Sequence, residues 1–132
     1  MTPTKIIDFI IKYDGKITDV RPIYQSYAYF QKLIEAKQVI RLRKKKKTIG
    51  FCSYYKVNDY DGCLRTDETW ELPKNYTVGN KAFIDVAVIR PEFRSERTTL
   101  EFRKRLIKKE PEVVEVGWID VKNRLRTYLL KK

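Results

Sequence analysis

Residues 83–106 read FIDVAVIRPEFRSERTTLEFRKRL. The stretch begins inside a run, residues 81–90 (KAFIDVAVIR), that is almost continuously apolar. That is the pattern of a strand buried on both faces. Pro91 stops the strand, and a helix is expected over residues 97–109, with Leu100, Leu106 and Ile107 inward. Pro111 ends the helix, and residues 113–119 (VVEVGWI) read as a second strand. A strand, a crossover helix and a strand predict a parallel, right-handed β-α-β unit.

Upstream, residues 4–13 carry Ile6, Ile7, Ile10 and Ile11 at helical spacing, with Thr4 as N-cap and Asp14-Gly15 as the stop. A second helix is expected from about Pro22 to Lys37, with Tyr24, Tyr27, Ala28, Leu33 and Ile34 on its apolar face. The period then changes. Residues 38–43 and 49–57 alternate or carry aromatic and β-branched residues around Lys44–Lys47, which predicts an antiparallel hairpin. Residues 58–80 read as a long loop with a short element at Trp70-Glu71-Leu72, and residues 123–132 read as a helix through Leu125, Tyr128 and Leu129. The fold class expected is α/β with a mixed, mostly antiparallel sheet, one parallel pair and helices on both faces. One domain accounts for 132 residues.

Composition narrows the chemistry. The chain has no histidine, which removes Ser-His-Asp and Cys-His mechanisms and His-ligated metals. Two cysteines, Cys52 and Cys63, make neither a disulfide framework nor a four-ligand zinc site, so no metal is expected. No apolar run reaches the roughly 18 residues of a membrane span, and no leader pattern opens the chain, so a cytoplasmic protein is expected. Lys and Arg number 29 against 17 Asp and Glu, a net charge of +12. Such a surface attracts polyanions, among them nucleic acid, phosphate-rich cofactors and acidic proteins.

The junction after residue 90 is the most informative part. A strand feeding a helix N-terminus is a ready anion site, because free N–H groups and the helix dipole converge there. Arg90, Arg94 and Arg97 are placed around that spot, and Ser95, Thr98 and Thr99 add hydroxyls. Solvated charges and a plain strand stop are the structural alternative.

This stretch resembles the GNAT superfamily of N-acetyltransferases. In that family the fourth strand ends in a hydrophobic-x-Pro-x-x-Arg turn, and a following Arg/Gln-x-x-Gly-x-Gly/Ala loop cradles the pyrophosphate of acetyl-coenzyme A. Here Val88-Ile89-Arg90-Pro91-Glu92-Phe93-Arg94 matches the turn, and Arg94 to Thr99 stands where the loop would be, with Arg97 and Thr99 at the small-residue positions. The element order also matches over most of the chain. The resemblance implies acyl-CoA-dependent N-acyl transfer, with acetyl-CoA bound by Val88, Arg90, Arg94, Ser95, Arg97, Thr98 and Thr99. It implies Tyr128 as the acid that protonates the coenzyme thiolate. Tyr128 also suits a packed amphipathic aromatic.

Amine acylation without histidine needs a carboxylate base, and Asp85 and Glu71 are the candidates. Asp85 also suits a structural role beside a lysine, and Cys52 suits a small core residue. The second reading is a non-catalytic protein on the same scaffold, of the kind found in phages and mobile elements, binding nucleic acid or an acidic partner. Arg41, Arg43, Lys44, Lys45, Lys46 and Lys47 are its candidate phosphate contacts, with Phe51, Tyr54, Tyr55 and Tyr60 nearby for base stacking, about half of them facing solvent. An unpaired sheet edge leaves room for a homo-oligomer or partner.

Overall fold

The computed structural model describes residues 1–13, 23–63, 71–120 and 122–130. The helix stop expected at Asp14-Gly15, the start at Pro22, the side chain of Tyr24 and the element at Trp70 lie outside the described residues, as do Lys131 and Lys132. No helix among the described residues is long and apolar enough to cross a membrane.

Helix α1 spans Pro3–Tyr13 and α2 spans Ile23–Glu35. The N-cap of α1 is Thr2, not Thr4: its Oγ1 accepts from Lys5 N at 3.3 Å. Pro3 then occupies the first helical position, where its missing N–H costs nothing. Helix α2 ends at Glu35, and Lys37, with φ of 60°, turns the chain while Gln38 N donates to Leu33 O. Its buried face is Ser26, Tyr29, Phe30 and Leu33, one step round from the expected one; Tyr27 and Ala28 face outward. Gln38 is buried and donates through Nε2 to the carbonyls of Tyr54 and Tyr76, tying the long connection to the sheet.

Strands β1 (Val39–Lys44) and β2 (Lys47–Val57) form the expected hairpin. Its two turn residues, Lys45 and Lys46, both have φ near +60°. Strand β3 (Lys81–Ile89), a single turn at Pro91–Phe93, helix α3 (Glu96–Lys109) and strand β4 (Glu115–Ile119) follow the expected order. On α3 the inward residues are Thr98, Phe102 and Leu106, while Leu100 is exposed.

The last element differs from the expectation. Residues 123–130 do not form a helix; Leu125–Leu129 is strand β5, antiparallel to β4. Asp120 makes the turn: its Oδ1 accepts from Lys122 N and Arg124 N at 2.9 Å, and Asn123 sits at φ 60°. That turn favours a hairpin.

The sheet runs β1-β2-β3-β4-β5, antiparallel throughout except for the parallel pair β3–β4. One face carries α1 and α2, packed through Ile6, Ile10, Phe30 and Leu33 onto Phe51, Tyr55 and Phe83. The other carries α3, packed through Phe102 and Leu106 onto Ile40, Leu42, Tyr54 and Ala82. Because both faces are covered, Phe51, Tyr54, Tyr55 and Tyr60 are all buried, so none of the four is free to stack a base. Cys52 and Cys63 are buried free thiols, each pushed up to about 12 chiefly by desolvation. They behave as core residues rather than nucleophiles.

Candidate functional site

Strand β3 is the axis of the site. On one side it pairs with β2 from Lys81↔Val57 to Ile89↔Gly50. The register slips once: Ser53 faces Val86 and Tyr54 faces Ile84, so Asp85 is an extra, bulged residue. On its other side β3 pairs with β4 only from Lys81↔Glu115 to Ile84↔Trp118. Beyond that point the parallel ladder stops, β4 proceeds towards the Asp120 turn, and residues 86–89 have no ladder partner on that side among the described residues. The bulge and the parting of the strands coincide at Asp85. The opening is a wedge, with β3 as one wall.

Asp85 is held at that bulge by a tyrosine. Tyr29 of α2 donates its hydroxyl to Asp85 Oδ2. Tyr55 Oη lies 3.0 Å from Tyr29 Oη, and Ser53 Oγ lies 3.4 Å from it. Burial, then the Asp85 charge, raises Tyr29 well above an ordinary phenol. The same charge adds to the raised thiols of Cys52 and Cys63. Glu71 is exposed and lines a cavity of about 600 Å³ together with Tyr29, Lys32 and Tyr76. Tyr29 therefore stands beside both candidate carboxylates: its hydroxyl binds one, and it is among the residues lining the cavity with the other.

The N-terminus of α3 closes the far end of β3. Ser95 is its N-cap, accepting from Thr98 N at 3.4 Å. Thr98 is buried and donates to Phe93 O at 2.5 Å, and Thr99 Oγ1 donates to Ser95 O at 3.3 Å. Arg97 is exposed at the first turn. The other two arginines are drawn elsewhere. Arg94 folds back, donating through Nε to Ile89 O and through Nη2 to Tyr13 O at the end of α1. Arg90 turns to the α1 face and donates through Nη2 to the Tyr13 hydroxyl, with its guanidinium 4.8 Å from that ring. Val88 is buried in the α1-side core. The expected ring of three arginines is thus one arginine, a capping serine and the backbone of a helix start.

No protein-family model matches the sequence, and no curated protein matches it. Solved structures do. The loading GNATL domain of CurA from Lyngbya majuscula superposes with a TM-score of 0.60 at 15% identity over 90% of this chain. The GphF GNAT-like decarboxylase, solved in complex with isobutyryl-CoA, gives 0.60 at 13% identity over 89%. The fold is GNAT-like. The chain spans 61% and 62% of the length of those two structures.

Within this GNAT-like fold the remaining candidates fall in two further places. Tyr128 is on β5, opposite Val116, which stands beside Ala82 in the sheet. That is the closed end of the β3–β4 pair, away from the wedge. Its ring is 39% exposed and lies 4.0 Å from the guanidinium carbon of Arg103. The hairpin cations divide: Arg41, Arg43, Lys46 and Lys47 line a second cavity against α1, while Lys44 Nζ reaches the Phe93 ring at 5.7 Å. Lys45 occupies the turn tip.

Residues that sequence reasoning missed are Tyr29, Tyr55 and Ser53 around Asp85, and Tyr13 between Arg90 and Arg94. An acid in the middle of an apolar strand was a signal that partners existed. Which partners they were depended on the packing of α1 and α2.

Proposed function

We propose that this chain binds an acyl-coenzyme A at the wedge and transfers the acyl group to an amine. The observation that supports the reading is the parting of β3 and β4 at the Asp85 bulge, directly before the start of α3. An open strand edge and a helix N-terminus lie in line, the first suited to an extended amide-bearing arm and the second to phosphates. The likeness to a GNAT-like structure solved with isobutyryl-CoA supports the same class of ligand.

The residues present fit that ligand. No residue from Arg90 to Thr99 has a positive φ, so the turn into α3 does not require glycine at Arg97 or Thr99. Ser95, Arg97 and the first-turn amides are the groups for the phosphates. Acyl-CoA supplies an activated thioester carbonyl when bound. The chain supplies position and a proton acceptor. With no histidine, the acceptor is a carboxylate: Glu71 at the cavity, with Asp85 held by Tyr29 behind it. Such help is typically worth about 10²–10⁴ in rate. Tyr128 has no part in this reading, because its register puts it at the closed end of the strand pair.

Acetyl-CoA at about 100 times its dissociation constant should stabilise the fold by roughly 2.7 kcal/mol. Arg97→Glu should remove most of that gain. Absence of any thermal shift at millimolar acetyl-CoA or isobutyryl-CoA overturns the reading.

A further inference from the structure

The second cavity, about 520 Å³, lies between α1 and the β1–β2 hairpin. Its walls are basic on both sides. From α1 come Lys5 and Lys12, which with Asp8 form one ridge of the helix at spacings of three and four. From the hairpin come Arg41 and Arg43, two apart and therefore on one face of β1, with Lys46 and Lys47 beyond them. Arg90 contributes from the end of β3. Asp8 is the one acidic residue among the described residues that line it.

Three features separate this from a merely solvated basic surface. The cations converge from three elements distant in sequence onto one volume. Arg90 is mostly buried, its side chain 15% exposed, and its Nε and Nη1 have no hydrogen-bond acceptor among the described residues. Glu92 lies 3.6 Å from its Nε and is itself well exposed. A largely buried guanidinium whose carboxylate partner is exposed to solvent adds positive potential to the cavity. Finally, the hairpin turn places Lys45 and Lys46 in the left-handed region, where Asn-Gly is the favoured pair. Of these two, Lys46 lines the cavity, so a charge stands there against local backbone preference.

We propose that this cavity binds a ligand carrying two or more neighbouring phosphate groups, at a site separate from the acyl-CoA wedge. Several cations around one small volume match clustered anionic charge, and the guanidinium forks of Arg41 and Arg43 match phosphate oxygens. Such a ligand is either a free oligophosphate or a single strand of nucleic acid held by its backbone.

The test is direct binding of inorganic tripolyphosphate, and separately of a short oligothymidylate, by calorimetry at several salt concentrations. The variant Lys5→Gln/Lys12→Gln/Lys47→Gln changes exposed side chains only and keeps the fold. It should weaken binding by about tenfold or more, and lower the salt slope for the strand by about two units. The control Lys104→Gln/Lys108→Gln/Lys122→Gln removes the same charge elsewhere and should leave affinity within about twofold of the parent. Tripolyphosphate binding without strand binding identifies a free oligophosphate, and strand binding lost in the cavity variant identifies the strand. No binding of either at low salt, or equal losses in both variants, overturns the proposal. The acetyl-CoA thermal shift should persist in the cavity variant. Its loss there, with tripolyphosphate binding, would put the coenzyme's own phosphates in this cavity and refute a separate site.

Discussion

On its β2 side, β3 is paired from Lys81 to Ile89; on its β4 side the pairing stops at Ile84. One strand thus has a closed edge and an edge open over its second half. The closed edge is stabilised by packing from both faces of the sheet and holds the strand in place. The open edge, at residues 86–89, has no ladder partner among the described residues. The comparison teaches that the candidate site depends on where a ladder ends, and that the bulge at Asp85 marks that end.

The closed half is the more sensitive to substitution. Gly79, just before β3, has φ +158°, and a Cβ there would stand 2.1 Å from the carbonyl of Val57. Gly79→Ala should cost about 3 kcal/mol or more by urea unfolding. A Cβ on Gly117 would meet the Tyr60 ring at 2.7 Å, and that ring donates its hydroxyl to Glu115. Gly117→Ala should cost about 1–3 kcal/mol. Wild-type stability in either variant would show that the closed half is looser than the geometry indicates.

Alkali probes the core behind the same half. Tyr29, Tyr54 and Tyr60 are raised above ordinary phenols, and Cys52 is raised from 9.0 to about 12, each mainly by burial. The folded state keeps these protons after the unfolded chain has released them. The unfolded state therefore binds fewer protons above pH 9, and stability falls as pH rises. Cys52 alone contributes a decline of up to about 1.4 kcal/mol per pH unit between its unfolded and folded values. Urea midpoints that stay level from pH 8 to 11 would contradict the burial of these groups.

At the boundary between the halves, Tyr29→Phe removes the donor that holds Asp85. A loss of about 1–3 kcal/mol is expected, since the carboxylate keeps its burial and loses a partner. A change below about 0.5 kcal/mol would mean that the bulge is set by strand pairing alone. At the far edge, Tyr128→Phe should change stability by less than about 0.5 kcal/mol and leave any acyl transfer intact, because the ring is exposed and stands away from the wedge. A rate loss of about tenfold or more would restore Tyr128 to the mechanism.

Much of this arrangement was legible in the sequence. The apolar run at 81–90 and Pro91 predicted β3 and the helix after it, and the expected element order holds as far as β4. The α2 face was misjudged because Tyr27, Ala28, Tyr29 and Phe30 are consecutive and apolar, and only packing against Phe83 and Tyr55 selects the last two. Strand β5 was misread because Leu125, Tyr128 and Leu129 also fit a helical spacing. As an exposed edge strand it has little burial to enforce its period; the hydrogen bonds of Asp120 decide it instead. The roles of Arg90 and Arg94 were hidden for a different reason. Their partner, Tyr13, is 77 residues from Arg90 and 81 from Arg94 in the chain, and joins them only when α1 crosses the end of β3.

The central claim is that the open edge of β3 is where the acyl-CoA arm binds. Amide hydrogen exchange along β3, with and without saturating acetyl-CoA, tests it most directly. In the free protein, amides of residues 81–84 should be protected, whichever neighbour they face. Within residues 85–89, those directed at β2 should be protected and those directed away should exchange quickly. Acetyl-CoA should slow the fast set, together with the first-turn amides of α3 at residues 96–98. Protection that appears only at α1 and the hairpin, with the fast amides of β3 unchanged, would contradict the account.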